Sequence, residues 1–191
     1  SLNTKYKLGT LLTLKNPGTY NKKNIKYTVY NRDILSVDKN SNNGEVELKG
    51  GLGTTYVRAE VGGAYVIFTF HVVDTTAPDP VKIKYNDTKT NKVDRAFTIK
   101  TGEVYGSNLK NLVKVIDGNV ATDVEWKVDD TSVVSVTDGV VKGLSAGKAV
   151  ITAVTKNGYY VTFVVTVADG MKLSATQTNF EIDKKELKSL D

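Results

Sequence analysis

The 191-residue chain has no cysteine, one histidine, one tryptophan, one methionine and three prolines. Without cysteine there is no disulfide framework, no thiolate ligand for zinc and no thiol nucleophile. A single histidine forms no metal cluster. It also leaves His71 as the only possible base of a Ser–His–Asp triad, and strand parity places it on an outward face with no motif around it. The sequence therefore offers no catalytic, cofactor-binding or metal-binding residue. No run of eighteen apolar residues exists, so no membrane-spanning helix is expected. The opening SLNTKYK lacks an apolar signal region, which is expected of a chain whose signal was removed or of an internal fragment. Missing cysteine does not exclude an extracellular address, because units of this size can fold without staples. The formal net charge of +5 comes almost wholly from scattered lysine, with short basic runs only at Lys22-Lys23 and Lys184-Lys185. A nucleic-acid stripe would interleave arginine and aromatics on one face, so no nucleic-acid partner is expected.

What the chain does have is an internal repeat. IKYTVYNRDILSV at 25–37 aligns without a gap to VEWKVDDTSVVSV at 124–136, a constant spacing of 99 residues (25 to 124). Aromatics stand at Tyr27 and Trp126, valines at Val29 and Val128, and Ser-Val closes both. The likeness continues. Residues 53–59 (GTTYVRA) match 147–153 (GKAVITA), and 66–72 (VIFTFHV) match 161–167 (VTFVVTV). Self-similarity at a long period means a tandem array of one structural unit. The offset drifts only near turns, where insertions leave strand register intact.

Both copies carry the period-two alternation of half-buried strands. In the second, Val124, Trp126 and Val128 face inward, then Val134 and Val136, then Ala149, Ile151 and Ala153, then Tyr159, Val161, Phe163, Val165 and Val167. In the first, the inward set is Ile25, Tyr27, Val29, Leu35, Val37, Thr55, Val57, Ala59, Val66, Phe68, Phe70 and Val72. Asn157-Gly158 is the strongest hairpin signal. Many short strands with glycine-rich turns argue for β-sandwiches. No helix longer than two turns is expected, and 105–115 is assigned to a strand flanked by turns. Residues 74–80 hold two of the three prolines and form a short, semi-rigid linker. Beyond Asp169, Met171-Lys172-Leu173-Ser174 echoes Val81-Lys82-Ile83-Lys84, and Phe180-Glu181-Ile182 echoes Phe97-Thr98-Ile99. The expected organisation is a first unit over 1–76, a second over 77–169, and the truncated start of a third over 170–191.

Two residue classes suggest sharper chemistry. Acids gather near turns at Asp117, Asp123, Asp129-Asp130 and Asp138, but without calcium-loop spacing. Asp and Asn also suit turns through local hydrogen bonds. The ten tyrosines include Tyr27/Tyr30 and Tyr159-Tyr160, which put one ring of each pair on an exposed face, as a sugar platform would. Tyrosine is also a favoured strand residue.

Residues 126–136 (WKVDDTSVVSV), Gly139-Val140-Val141-Lys142-Gly143-Leu144 and 146–153 (AGKAVITA) resemble a group 2 bacterial immunoglobulin-like domain. The resemblance covers most of 97–169. The first copy follows the pattern more loosely, with Tyr27 in place of the tryptophan. The resemblance implies an all-β architecture of two tandem immunoglobulin-like sandwiches in a bacterial secreted or cell-surface protein, with no shared catalytic or cofactor residues to carry over. It also implies core or turn roles for Trp126, Gly139, Gly143 and Gly147. Three functions fit: a non-catalytic spacer, stalk or adhesion module, a carbohydrate-binding accessory module, and a self-assembling surface or pilus subunit that exchanges strands. Expected partners are other domains of the same protein, or a host or cell-wall protein or glycan. The chain is expected to be mostly monomeric, without membrane insertion.

Overall fold

The computed structural model describes residues 6–38 and 43–170. The architecture is all-β. In chain order the elements are β1 (Tyr6–Lys7), α1 (Leu8–Leu11), β2 (Lys26–Val29), β3 (Leu35–Val37), β4 (Glu45–Leu48), β5 (Gly53–Val61) and β6 (Ala64–Val72). There follow β7 (Lys82–Tyr85), β8 (Ala96–Lys100), β9 (Val113–Ile116), α2 (Val120–Asp123), β10 (Val124–Val128), β11 (Val134–Thr137), β12 (Val140–Gly143), β13 (Gly147–Thr155) and β14 (Tyr160–Ala168). Both helices are single turns. Leu109–Leu112 forms a 3-10 turn leading into β9. The expected strand over 105–115 is therefore shorter and later. Asn108 accepts a hydrogen bond from the Lys110 amide at 2.8 Å, which favours a capped turn over an extended strand there.

The first repeat packs sheet β1-β4-β3 against sheet β2-β5-β6. The second packs β10-β13-β14-β8 against the ribbons β11-β12 and β7-β9. These are two immunoglobulin-like β-sandwiches in tandem. The long hairpins superpose in register: Gly53 pairs with Val72 in one repeat, and Gly147 with Val167 in the other. The repeat also extends into details that sequence alignment missed. Asn21 and Asn119 each cap a short helical turn by accepting from the amide two residues on, at 2.9 Å. Asn16 and Asp117 both take left-handed backbone, with φ of 50° and 60°.

The cores differ in size. In the second repeat, Ile83, Ile99, Leu109, Ile151, Phe163 and Val165 belong to one large buried cluster, with Trp126 half-buried against it. In the first, the buried cluster among the described residues is Leu8, Leu35, Val46 and Val57. Each such side chain contributes about 1.5–3 kcal/mol on burial, so the second sandwich carries most of the apolar stabilisation. Val66 is 47% exposed, against the inward placement its parity predicts. The reason is local: its side of β6 faces an open groove. The glycines of the second repeat have the structural roles expected of them. Gly139 has φ of 78°, a Cβ on Gly143 would lie 2.6 Å from the Lys100 carbonyl oxygen, and one on Gly147 would meet Val133.

Candidate functional site: the seam between the repeats and the groove beside it

Alternation along β5 puts Thr55, Val57 and Ala59 in its own core and turns Thr54, Tyr56 and Arg58 outward. On β13, Ala149, Ile151 and Ala153 go inward while Val150, Thr152 and Val154 face out. In a solvated two-layer sandwich such outward residues would be wet. Here Thr54 and Thr152 are fully buried, and Tyr56 and Val154 nearly so, because the two outward faces cover each other. The sheets run antiparallel across the seam. Gly53 lies by Val154, Tyr56 by Thr152, and Arg58 by Asp130. Burial pushes the Tyr56 phenol up to about 12, and the Thr152 hydroxyl pulls weakly the other way.

Polar contacts close the seam at both ends. At one end the Arg58 guanidinium lies 3.9 Å above the Tyr65 ring. The Tyr65 hydroxyl donates to Asp130 Oδ2 at 2.5 Å, and that bond is the main reason the phenol pKa is raised. Burial works against ionised Asp130, but hydrogen bonds from Ser132 and Tyr65 outweigh it and hold its carboxyl below the ordinary range. Asp129, more deeply buried, is raised by desolvation even though it accepts the Asp130 and Val150 amides, each at 2.7 Å.

At the other end, the Asn157-Gly158 turn staples the linker. The Asn157 carbonyl accepts the Asp74 amide at 3.0 Å, and its Oδ1 accepts the Val81 amide at 2.9 Å. Gly158 lies so close to Val72 that a Cβ there would be 2.0 Å from the Val72 carbonyl oxygen. The linker is short and proline-containing, as the sequence indicates, but it does not separate independent bodies. Nothing in the sequence marks the seam, because outward positions that read as solvated are used as contact.

His71 sits in this end of the seam. Its ring stacks on Tyr160, with centroids 3.5 Å apart and planes 8° apart, and its Nδ1 lies 2.9 Å from Thr54 Oγ1. Burial lowers its pKa from the ordinary 6.5. Outward parity is right for its own sandwich, but that face is half-buried by the other one. Thr54, whose hydroxyl bonds the imidazole, is fully buried. A hydroxyl that no substrate can approach does not serve as a nucleophile.

Of the acids singled out in the sequence, Asp123 and Asp130 are held within their own turns, and Asp138 by the 109–112 turn. Asp123 Oδ2 accepts the Asn119 amide at 2.5 Å, Asp130 takes Ser132, and Asp138 pairs with Lys110. Among the described residues no three His, Cys, Asp or Glu side chains converge, and no helix is long and apolar enough to cross a membrane. Of the exposed tyrosines, Tyr30 packs edge-on against Tyr56 at 5.8 Å and Tyr6 against Phe70 at 6.2 Å, while Tyr160 stacks on His71.

Two concavities are lined by described residues. A cleft of about 310 Å³ opens at the seam between Tyr30, Asn31, Tyr56 and Lys127. A larger groove of about 750 Å³ lies wholly in the first repeat, between the 12–20 segment and the β5–β6 hairpin, with Leu12, Leu14, Tyr20, Ile25, Ala59 and Val66 on its walls. Its lining is mainly apolar, and it holds no cluster of titratable side chains.

No family model and no curated protein sequence matches the chain. Among solved structures it is similar to domains 4 and 5 of the S-layer protein SbsC, with 19% identity over 82% of this chain and 74% of that one, at a TM-score of 0.32. It is also similar to a fragment spanning domains 4–9 of the surface layer protein SbsC, with 18% identity over 86% of this chain and 24% of that one, TM-score 0.33. A third is the C-terminal 282-residue fragment of intimin, solved in complex with the intimin-binding domain of the translocated intimin receptor, with 15% identity over 81% of this chain and 55% of that one, TM-score 0.27. The chain thus spans less than two thirds of the length of the last two. At these identities the likeness is one of β-sandwich architecture.

Proposed function

We propose that this chain is a non-catalytic structural or adhesion module of a bacterial secreted or cell-surface protein, built from two group 2 bacterial immunoglobulin-like domains over 1–76 and 77–169. The observation that carries the reading is the seam. Thr54, Tyr56, Thr152 and Val154 are buried on faces that a freely jointed pair of sandwiches would leave in water. Burying them makes a stiff two-domain block, which suits a part that holds other domains at fixed separation and orientation. The Trp126-to-Ala153 motif supports the family reading and, through it, the extracellular setting. The partners proposed are neighbouring domains of the same protein, or a host or cell-wall protein or glycan that meets its surface. No residue is assigned a catalytic, cofactor or metal role.

Small-angle X-ray scattering of the chain tests the block. The expected profile is that of a rigid side-by-side pair, with Tyr56→Asp lengthening the largest dimension. A profile of two beads on a flexible tether in the unsubstituted chain would overturn the reading. So would turnover of a hydrolase, transferase or redox substrate that a point substitution in either repeat abolishes.

A further inference from the structure

The second repeat fills the place that the groove occupies in the first. Residues 12–15 are the counterpart of β9. They follow α1 as β9 follows the 109–112 turn, and the residues after them, Asn16 and Asp117, are both left-handed. In the second repeat β9 pairs antiparallel with β7, setting Val113 opposite Tyr85, Val115 opposite Ile83 and Ile116 opposite Lys82. From there β7 covers the β13–β14 hairpin. The Thr155 hydroxyl donates to the Val81 carbonyl at 2.7 Å, and the Tyr85 ring stands edge-on to Phe163 at 5.5 Å. Ala59 pairs with Val66 as Ala153 pairs with Val161. Beneath β7, Val161 is 8% exposed, whereas Val66 is 47% exposed. Among the described residues no strand pairs with 12–15, and none bonds the backbone amides of 13–15. The groove of about 750 Å³ lies between this edge and the β5–β6 hairpin.

We propose that the groove takes a strand from another polypeptide, an extended segment with apolar side chains at alternate positions and an acid opposite Lys15. Two observations fix that chemistry. First, Leu12 and Leu14 are half-buried while Thr13 and Lys15 are exposed, the alternation of a strand awaiting a neighbour. A strand in the register of β7 sets an apolar residue opposite Leu14, as Ile83 lies opposite Val115, and an aromatic opposite Leu12, as Tyr85 lies opposite Val113. It covers Val66, and the amides and carbonyls of 13–15 supply its ladder by β-strand addition. Second, Lys15 is the charged residue among the described groove walls, which carry no acid. It stands where Ile116 faces Lys82 in the second repeat. Opposite charges across strands attract and like charges repel, so the incoming strand carries Asp or Glu where β7 has Lys82. The chain's own β7 is not the donor, because Ile83 is buried in the second core, and the same holds for β7 of a second copy. The inference is independent of the surface-protein reading above.

The probe is a synthetic peptide of residues 80–86 with Lys82→Glu, PVEIKYN, added to the full 191-residue chain. At saturating peptide, hydrogen exchange at the amides of 13–15 should slow by roughly tenfold or more. An Ile83→Asp version of the peptide should bind at least about tenfold more weakly, since it carries a charge into the apolar groove. Val66 and Lys15 are exposed, so substitutions there leave the fold intact. Val66→Asp in the protein should abolish binding, and Lys15→Glu should reverse the preference in favour of the unsubstituted 80–86 peptide. No binding of PVEIKYN, equal binding of the Ile83→Asp peptide, or a preference unchanged by Lys15→Glu would overturn the proposal. So would amides of 13–15 already protected in the chain alone, whether by its own residues or by a second copy.

Discussion

Gly158 shows how much of the joint rests on one residue. It has φ of 83° and presses on the Val72 carbonyl. Gly63, in the matching hairpin of the first repeat, has φ of 82° with nothing within 4 Å of a would-be Cβ. Gly63→Ala should cost only the left-handed backbone, about 1–2 kcal/mol. Gly158→Ala should cost that and the clash as well, so denaturant midpoints of the two variants isolate the joint. Equal losses would mean that the Val72 contact yields freely. His71 gives a pH signature. Its folded pKa lies below the ordinary 6.5, so as pH falls the unfolded chain takes up the proton first. The stability His71 contributes is present above about 6.5 and is lost as pH falls through that value toward the folded pKa. His71→Phe keeps an aromatic ring over Tyr160 and should flatten this slope between about pH 7.5 and 5.5. A slope unchanged in the variant would place the titration elsewhere.

Among the elements, the paired hairpins repeat in sequence and register but not in burial. Phe68 pairs with Val57 as Phe163 pairs with Ile151, yet Phe163 is fully buried and Phe68 only partly so. Phe163→Ala should therefore cost about 4 kcal/mol, within the range for buried aromatics, and Phe68→Ala about half of that. Chemical denaturation of both variants checks the ratio, and equal costs would mean that the first core is as closed as the second. This asymmetry was not legible in the sequence. Period-two alternation told which way each side chain points, and the inward sets of β5, β13 and β14 follow it. It says nothing of whether a layer exists opposite, and so it places Val66 inward although Val66 is exposed. Likewise Asn108 and Leu109 read as strand because the local cap that bends 109–112 into a 3-10 turn depends on one side chain-to-amide bond. The expected third unit over 170–191 lies, beyond Gly170, outside the described residues.

For the whole molecule, the sequence shows two units joined by a short, semi-rigid linker that holds two of the three prolines. It could not show that Tyr56 and Val154, outward on their own sheets, are the core of a contact between sheets. That contact depends on tertiary placement, which no local pattern encodes. Residual dipolar couplings report whether the two sandwiches form one rigid body. A single alignment tensor should fit amide couplings from β2–β6 and from β7–β14 together, and Tyr56→Asp should split it into two. Two tensors of different magnitude in the unsubstituted chain would contradict the account.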